Sequence, residues 1–234
     1  LDSWMDAEKK TSFKKFLKNG LPTKKLESWK FTDVNNILNK KKFQPLIKKE
    51  DEKKINIKNN QFYQKNSITI IFNNGFVDIE KNFSKDLEIS SILESFKLKP
   101  KETKKLIKKH NVERADSIVD LNNAFLNDGI IIKIKKGVKL DNPILIFFYN
   151  SKKLKDILIN NRVYILLEEE AEAEIVEIFL SDENASYWNN IHTFIELKEN
   201  ELKIGLKGRF FARNIVKIFD KYWKYKNYNI TGPT

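Results

Sequence analysis

Leu121-Asn122-Asn123-Ala124-Phe125-Leu126-Asn127-Asp128-Gly129-Ile130-Ile131-Ile132-Lys133-Ile134-Lys135 is the stretch in which the chain changes character. Up to about Asn127 apolar residues recur at helical spacing; beyond Gly129 they alternate. Successive side chains of a strand point to opposite sides, so Ile130, Ile132 and Ile134 share one face and Ile131, Lys133 and Lys135 the other. A strand of this pattern buries one side and wets the other, and a slip of one residue would invert it.

Downstream, short apolar strands are expected at 130–134, 143–149, 162–167, 173–180 and 190–197, with turn residues Asp128-Gly129, Lys136-Gly137, Asp141-Asn142-Pro143 and Asn160-Asn161 between them. In 170–175 the pattern puts Glu170, Glu172 and Glu174 on one strand face and Ala171, Ala173 and Ile175 on the other, the small alanines suiting a narrow interior. Short strands with brief turns permit a sandwich, a barrel or a β-helix, and no rigid repeat chooses among them.

Upstream, the chain reads as mixed α/β. A first helix is expected over 3–19, with Phe13, Phe16 and Leu17 at helical spacing, Gly20 as cap and Pro22 as stop. Thr32 is placed as the cap of a short helix over 33–39, and 40–60 as a lysine- and asparagine-rich connection. Residues 67–72 read as a strand leading into an Asn73-Asn74-Gly75 turn, and Asp86 to about Asn127 as helical with a break at Pro100.

The 234 residues are 41% hydrophobic and include 17 Phe, enough apolar material for a core. No apolar run approaches the roughly 20 residues that span a bilayer. Leu1-Asp2-Ser3-Trp4 lacks the features of a secretory signal, and the chain contains no cysteine, so a cytoplasmic location is expected. The net charge is +12, yet the arginines are only Arg114, Arg162, Arg209 and Arg213. Lysines spread along the whole chain, without the arginine fork that reads phosphates and bases, favour a solvated surface over a nucleic-acid or membrane partner.

Candidate chemistry is sparse. Glu168, Glu169, Glu170, Glu172, Glu174 and Glu177 could attract a hard cation, but carboxylates of one straight strand do not converge, and balance with nearby lysines is the simpler reading. His110 is expected exposed at a helix end and His192 on a strand face. Phosphate-loop, dinucleotide, nucleophile-elbow and zinc-helix motifs are missing. Tyr222, Trp223, Tyr225 and Tyr228 interleave with Lys221, Lys224 and Lys226, as in a single-strand stacking platform, or as an untied tail.

One stretch is more specific. Leu21-Pro22-Thr23-Lys24-Lys25-Leu26-Glu27-Ser28-Trp29-Lys30-Phe31-Thr32-Asp33 resembles a signature of the SufB/SufD family on its SufD side, with Phe31 where Tyr is usual. The run Asn122, Phe125, Asp128-Gly129, Gly137-Val138 and Pro143-Ile144 is similar to a second signature in the right order. Segments at 162–165, 175–177 and 190–193 resemble the coils that follow, so the resemblance covers about residues 10–200.

The resemblance implies a mixed α/β N-terminal region over 1–126, then an incomplete, mainly-β right-handed parallel β-helix over 127–200, with 201–234 a weakly matching end. It implies a non-catalytic scaffold subunit of the iron–sulfur cluster assembly machinery, with SufB and the ATPase SufC as partners. A basic nucleic-acid- or membrane-surface-binding protein is the alternative. On this reading the chain alone binds no cofactor, the cluster belongs to the full complex, and no nucleic acid or membrane is expected. An open coil end favours self-association. No catalytic, cofactor or metal residue is assigned. Pro22, Glu27, Trp29, Lys30, Phe31, Thr32, Asn122 and Phe125 carry structural positions, as does Asp128; Trp29 and Phe31 are apolar anchors, Gly129 and Gly137 turn residues, and Pro143 a strand start.

Overall fold

The computed structural model describes residues 3–38, 41–46, 55–79, 86–113, 116–151 and 153–198. The expectations for 201–234, including the aromatic and basic tail, lie outside them. Helix α1 (Ser3–Asn19) buries Met5 and Ser12 and half-buries Phe16. It ends where Gly20 takes φ +67° and its N–H reaches the Phe16 carbonyl at 2.7 Å, a left-handed cap that glycine adopts without a Cβ clash. A single 3-10 turn (Glu27–Trp29) precedes α2 (Val34–Leu38). Its cap is Asp33, not Thr32: the Asp33 carboxylate accepts from the Asn36 N–H at 3.0 Å, the reach an N-cap side chain has to the third helical residue.

The two-residue strand β1 (Gln44–Pro45) follows, then β2 (Ile68–Asn73) and β3 (Phe76–Ile79), joined through Asn74 (φ 47°) and Gly75 (φ 82°). Both central residues are left-handed, the geometry of a tight hairpin turn. The stretch from Asp86, read as helical throughout, opens instead with strand β4 (Leu87–Ser91). Five residues are too few for periodicity to separate strand from helix. Ser91 ends the strand and caps α3 (Ile92–Leu98), its hydroxyl accepting from the Glu94 N–H at 3.1 Å. Pro100 opens α4 (Pro100–Glu113), where its missing N–H costs nothing, and α5 (Ser117–Ala124) starts on an Asp116 cap.

The remaining strands are β5 (Asp128–Ile134), β6 (Ile144–Asn150), β7 (Ile157–Leu167), β8 (Ile175–Ser181) and β9 (Tyr187–Leu197). They alternate between two sheets. In the first, β4 is antiparallel to β5, and β5, β7 and β9 run parallel, while β1 adds to the far end of β7. In the second, β3 is antiparallel to β2, and β2, β6 and β8 run parallel. From β5 onward each strand pairs in parallel with the one two places along, and no hairpin joins neighbours among the described residues. Neither sheet closes on itself there. The fold is thus mixed α/β with parallel and antiparallel pairings.

Between the sheets lies a core of Ile130, Ile132, Ile134, Ile144, Ile146, Val163, Ile165, Ile70 and three phenylalanines in register. Phe72, Phe148 and Phe179 stack at centroid distances of 4.8 and 5.0 Å, so the ring ladder follows the hydrogen-bond ladder. The outer side of β6 is buried as well, Leu145 and Phe147 packing with Ile57, which explains its unbroken apolar run. Helices cover the outer face of the first sheet.

Two expectations about turns and one about a strand are corrected. Asn160-Asn161 sits in the middle of β7, fully buried, where the Asn161 amide donates to the Gly75 and Asp128 carbonyls and Asn160 Oδ1 accepts from Asn190. Residues 170–174 are not a strand: Glu170 has φ 58° and the Ala171 N–H closes a turn on the Glu168 carbonyl at 3.1 Å, leaving only a bridge between Lys139 and Glu172 before β8. Gly129 lies within β5 rather than in a turn, and is needed for space, since a Cβ there would meet the Arg162 carbonyl oxygen and Ile92 Cδ1, both at 2.5 Å. Gly137 does turn, at φ +71°, with open space around it, and Pro143 immediately precedes β6.

Gly129→Ala should therefore destabilise the chain by about 2–3 kcal/mol through overpacking, whereas Gly137→Ala should cost about 1 kcal/mol of backbone strain. Denaturant midpoints decide it; an equal or reversed ranking would mean that Ile92 yields easily.

Candidate functional site

The outer face of the first sheet gathers the polar residues of interest. Alternation along β7 and β9 sends Asn160, Arg162 and Tyr164, and Asn190, His192 and Phe194, to that side, each beside its register partner. Arg162 is fully buried. Its Nε donates to Asn122 Oδ1 on α5 at 2.8 Å, and its Nη1 donates to Asn111 Oδ1 on α4 at 2.8 Å and to the Tyr164 hydroxyl at 3.1 Å. The Phe194 ring lies 5.7 Å from the guanidinium carbon. No carboxylate of the described residues forms an ion pair with it; neutral oxygens meet Nε and Nη1 and an aromatic face lies beside the group, while Nη2 is buried without a hydrogen-bond partner among those residues. Asp120 feels it at longer range. Burial raises the Asp120 carboxyl above its ordinary value; Lys15 and Arg162 pull it back and Asp116 pushes it further up.

Asn122 is saturated: its amide also donates to the carbonyls of Asn161 at 3.1 Å and Asn190 at 2.6 Å. Asn190 in turn donates to the Ile118 carbonyl at 3.1 Å and to Asn160 Oδ1 at 3.0 Å. α5 is thereby stapled across β7 and β9. His110, expected at an exposed helix end, is buried on α4 against Phe194 (4.6 Å) and Tyr164 (5.6 Å), because α4 lies along the sheet and turns that side inward. His192 is a buried strand-face residue beside Phe194, at 6.0 Å.

The first signature splits in two. Pro22 is buried and its carbonyl accepts from Asn35 at 3.3 Å. Trp29 is buried, and its indole N–H donates to Asp116 Oδ2 at 2.9 Å, while Asp116 Oδ1 caps α5 by accepting from Ile118 N–H. Glu27 and Lys30 form an exposed pair, and Thr32 is exposed. Phe31 is not an anchor: it is 83% exposed, with only Lys30 Nζ over its ring at 5.0 Å. Two residues apart across a tight turn, Trp29 and Phe31 cannot both face the core.

The second signature is made of joints. Phe125 caps α5 and meets Phe13 edge-on at 5.4 Å. Asp128 Oδ2 accepts from Val77 N–H at 3.1 Å and Oδ1 from Gly129 N–H at 2.8 Å, tying β5 to β3 of the other sheet.

Three glutamates of 168–177 face lysines. Glu168 pairs with Lys133 at 3.1 Å, Glu169 with Lys136, and Glu172 with Lys139 at 2.5 Å, while Glu177 accepts from Thr193. Hydrogen bonds from the lysines hold the Glu168 and Glu169 carboxyls below their ordinary values and raise Lys136 and Lys139. Among the described residues no three His, Asp or Glu side chains gather as a metal site, and no helix is long and apolar enough to cross a membrane. A groove of about 900 Å³ runs between α3–α4 and the sheet, floored by Leu87, Ile89, Ile131 and Leu166 and rimmed by the Lys99–Glu88 and Lys109–Glu196 pairs.

Residues 2–146 match the family described as SufBD protein N-terminal region. The chain belongs to this family. A curated relative, the Arabidopsis thaliana protein ABCI7, chloroplastic, is 27% identical over 179 residues, a match that covers 72% of this chain and 36% of the relative. The chain thus spans little more than a third of the length of that relative. The family match takes in both signatures, and the residues that anchor them in the fold are Trp29, Asn122, Asp128 and Gly129.

The Arg162 cluster was missed as a unit by sequence reading. The available signal was an arginine inside an apolar strand of a lysine-dominated chain, where only the planar fork satisfies several acceptors at once. Arg162→Ala and Asn122→Ala should each destabilise by about 2–4 kcal/mol, and a double-mutant cycle should give a coupling of about 1–3 kcal/mol. Additive losses in urea denaturation would mean that the two side chains act separately.

Asp120→Asn should stabilise the fold at neutral pH. The folded carboxyl is raised, so its ionised form carries a penalty above the folded value that is relieved as pH falls through it. The gain should fade on acidification; a gain constant with pH would contradict this.

Proposed function

We propose that this chain is a non-catalytic scaffold subunit of the iron–sulfur cluster assembly machinery, of the SufD kind, acting with SufB and the ATPase SufC. Membership of the SufBD family carries the reading. The chain contains no cysteine, so it offers no thiolate to a cluster, and its two histidines are both committed to packing around Phe194. Cluster ligands come, on this reading, from the partner chain, and this one supplies a shaped support in the cytoplasm.

The alternating parallel strands support a second element of the proposal. They are the opening coils of a right-handed parallel β-helix, with residues 1–126 as the helical and hairpin cover that seals its first turns and 127–200 as the stack. The strands β8 and β9 carry the next coil of such an array, which adds one pair of strands at a time.

Co-expression with SufB and SufC should return the three proteins together on one tag. Anaerobic reconstitution of this chain alone with iron and sulfide should leave it colourless, and it should not stimulate ATP hydrolysis by SufC alone. A stable brown chromophore on the isolated chain, or failure to recover SufB in the co-expression, would overturn the scaffold reading.

A further inference from the structure

Lysines are used in two ways here. Along the sheet they are neutralised, Lys99, Lys109, Lys133, Lys136 and Lys139 each meeting a glutamate. On α1, Lys10, Lys14 and Lys18 stand four residues apart on the side opposite Met5, Ser12 and Phe16, and all three are exposed. No carboxylate of the described residues pairs with any of them, nor with exposed Lys25 just beyond the Gly20 cap. The same layer leaves apolar groups in water: Leu17 is 64%, Leu26 51% and Phe31 83% exposed. Their positions are fixed. Phe16 and Leu21 pack with buried Trp29, whose bond to Asp116 ties the turn carrying Leu26 and Phe31 to α5.

We propose that α1 and the 20–33 turn form a docking surface for anionic lipid headgroups. The lysine row meets the phosphates and carboxylates, and Leu17, Leu26 and Phe31 enter the boundary between headgroups and acyl chains. Attraction of unpaired lysines together with exposed apolar side chains on a rigid support is what interfacial binding requires. Leucines insert into lipid but do not stack on bases, and the row contains no arginine, so a membrane fits this surface better than nucleic acid. The sequence-based expectation of no membrane partner rests on the spread of lysines along the chain, which hides how unevenly the fold pairs them. The inference stands apart from the assembly role.

The test uses the full 234-residue chain and phosphatidylcholine vesicles with and without phosphatidylserine. Sedimentation should require phosphatidylserine and weaken with salt. Replacing Lys10, Lys14, Lys18 and Lys25 together by Gln should weaken binding on the order of 100-fold or more. Replacing Leu17, Leu26 and Phe31 by Ser should also reduce it, with circular dichroism and melting showing that both variants remain folded. Binding that is absent, or that survives the lysine replacements, would overturn the proposal. Binding of a single-stranded oligonucleotide in place of vesicles, kept by the Ser variant, would assign the surface to nucleic acid instead.

Discussion

A guanidinium removed from water has to be solvated by the protein itself, and at Arg162 the solvating atoms come from separate elements. Asn122 belongs to α5, Asn111 to α4, and Tyr164 and Phe194 to adjacent strands of the sheet. None of these can move away without leaving part of a buried charge bare, which costs far more than a lost surface contact. The helices are therefore held at one height and one rotation over β7 and β9. The asparagines continue the same logic. Asn122, Asn161 and Asn190 place amides where the backbone of a neighbouring element offers a carbonyl, while Asn160 Oδ1 accepts from Asn190 and its own amide nitrogen is buried without a hydrogen-bond partner among the described residues.

Packing against that fixed layer, the strands solve a different problem. Each strand that alternates between the two sheets buries its inward side chains against both the facing sheet and the strand before it. Phe72, Phe148 and Phe179 show the economy of this, since one residue type at one register position stacks repeatedly. Full burial of an isoleucine or phenylalanine contributes about 1.5–3 kcal/mol before entropy is counted, and Ile130, Ile132 and Ile134 each achieve it. The same three residues fix register, because a slip would put Lys133 between the sheets.

Much of this was legible in the residues. Alternation at 130–135, the Asn73-Asn74-Gly75 hairpin, the Gly20 cap and the parallel neighbours after residue 128 all follow from local pattern or from the resemblance. What escaped shares a physical cause, in that it depends on partners distant in sequence. Asn160-Asn161 looks like a turn because asparagine favours turns when nothing else engages its side chain; here Gly75 and Asp128 accept from Asn161, and Asn190 donates to Asn160 Oδ1. His110 looks exposed because lysines precede it, yet α4 turns that one position toward Phe194 and Tyr164. Gly129 looks like a turn glycine, whereas its constraint is the approach of Ile92 and of the β7 backbone. Trp29 and Phe31 look equivalent, and only the placement of Asp116 tells them apart.

The two signatures then take on a common meaning. Trp29 joins the N-terminal turn to α5, Asn122 joins α5 to β7 and β9, Asp128 joins one sheet to the other, and Gly129 admits α3 against the first strand of the stack. Every one is a joint between elements that are separate in the fold. Residues that serve as joints constrain geometry, so what they protect is the placement of the first strands. A parallel sheet passes that placement onward, since the twist and register of each strand are set by the one it pairs with. An error at Gly129 or Asn122 would therefore be felt at β9 through the β5–β7–β9 ladder, far along the sheet from the residue that was changed.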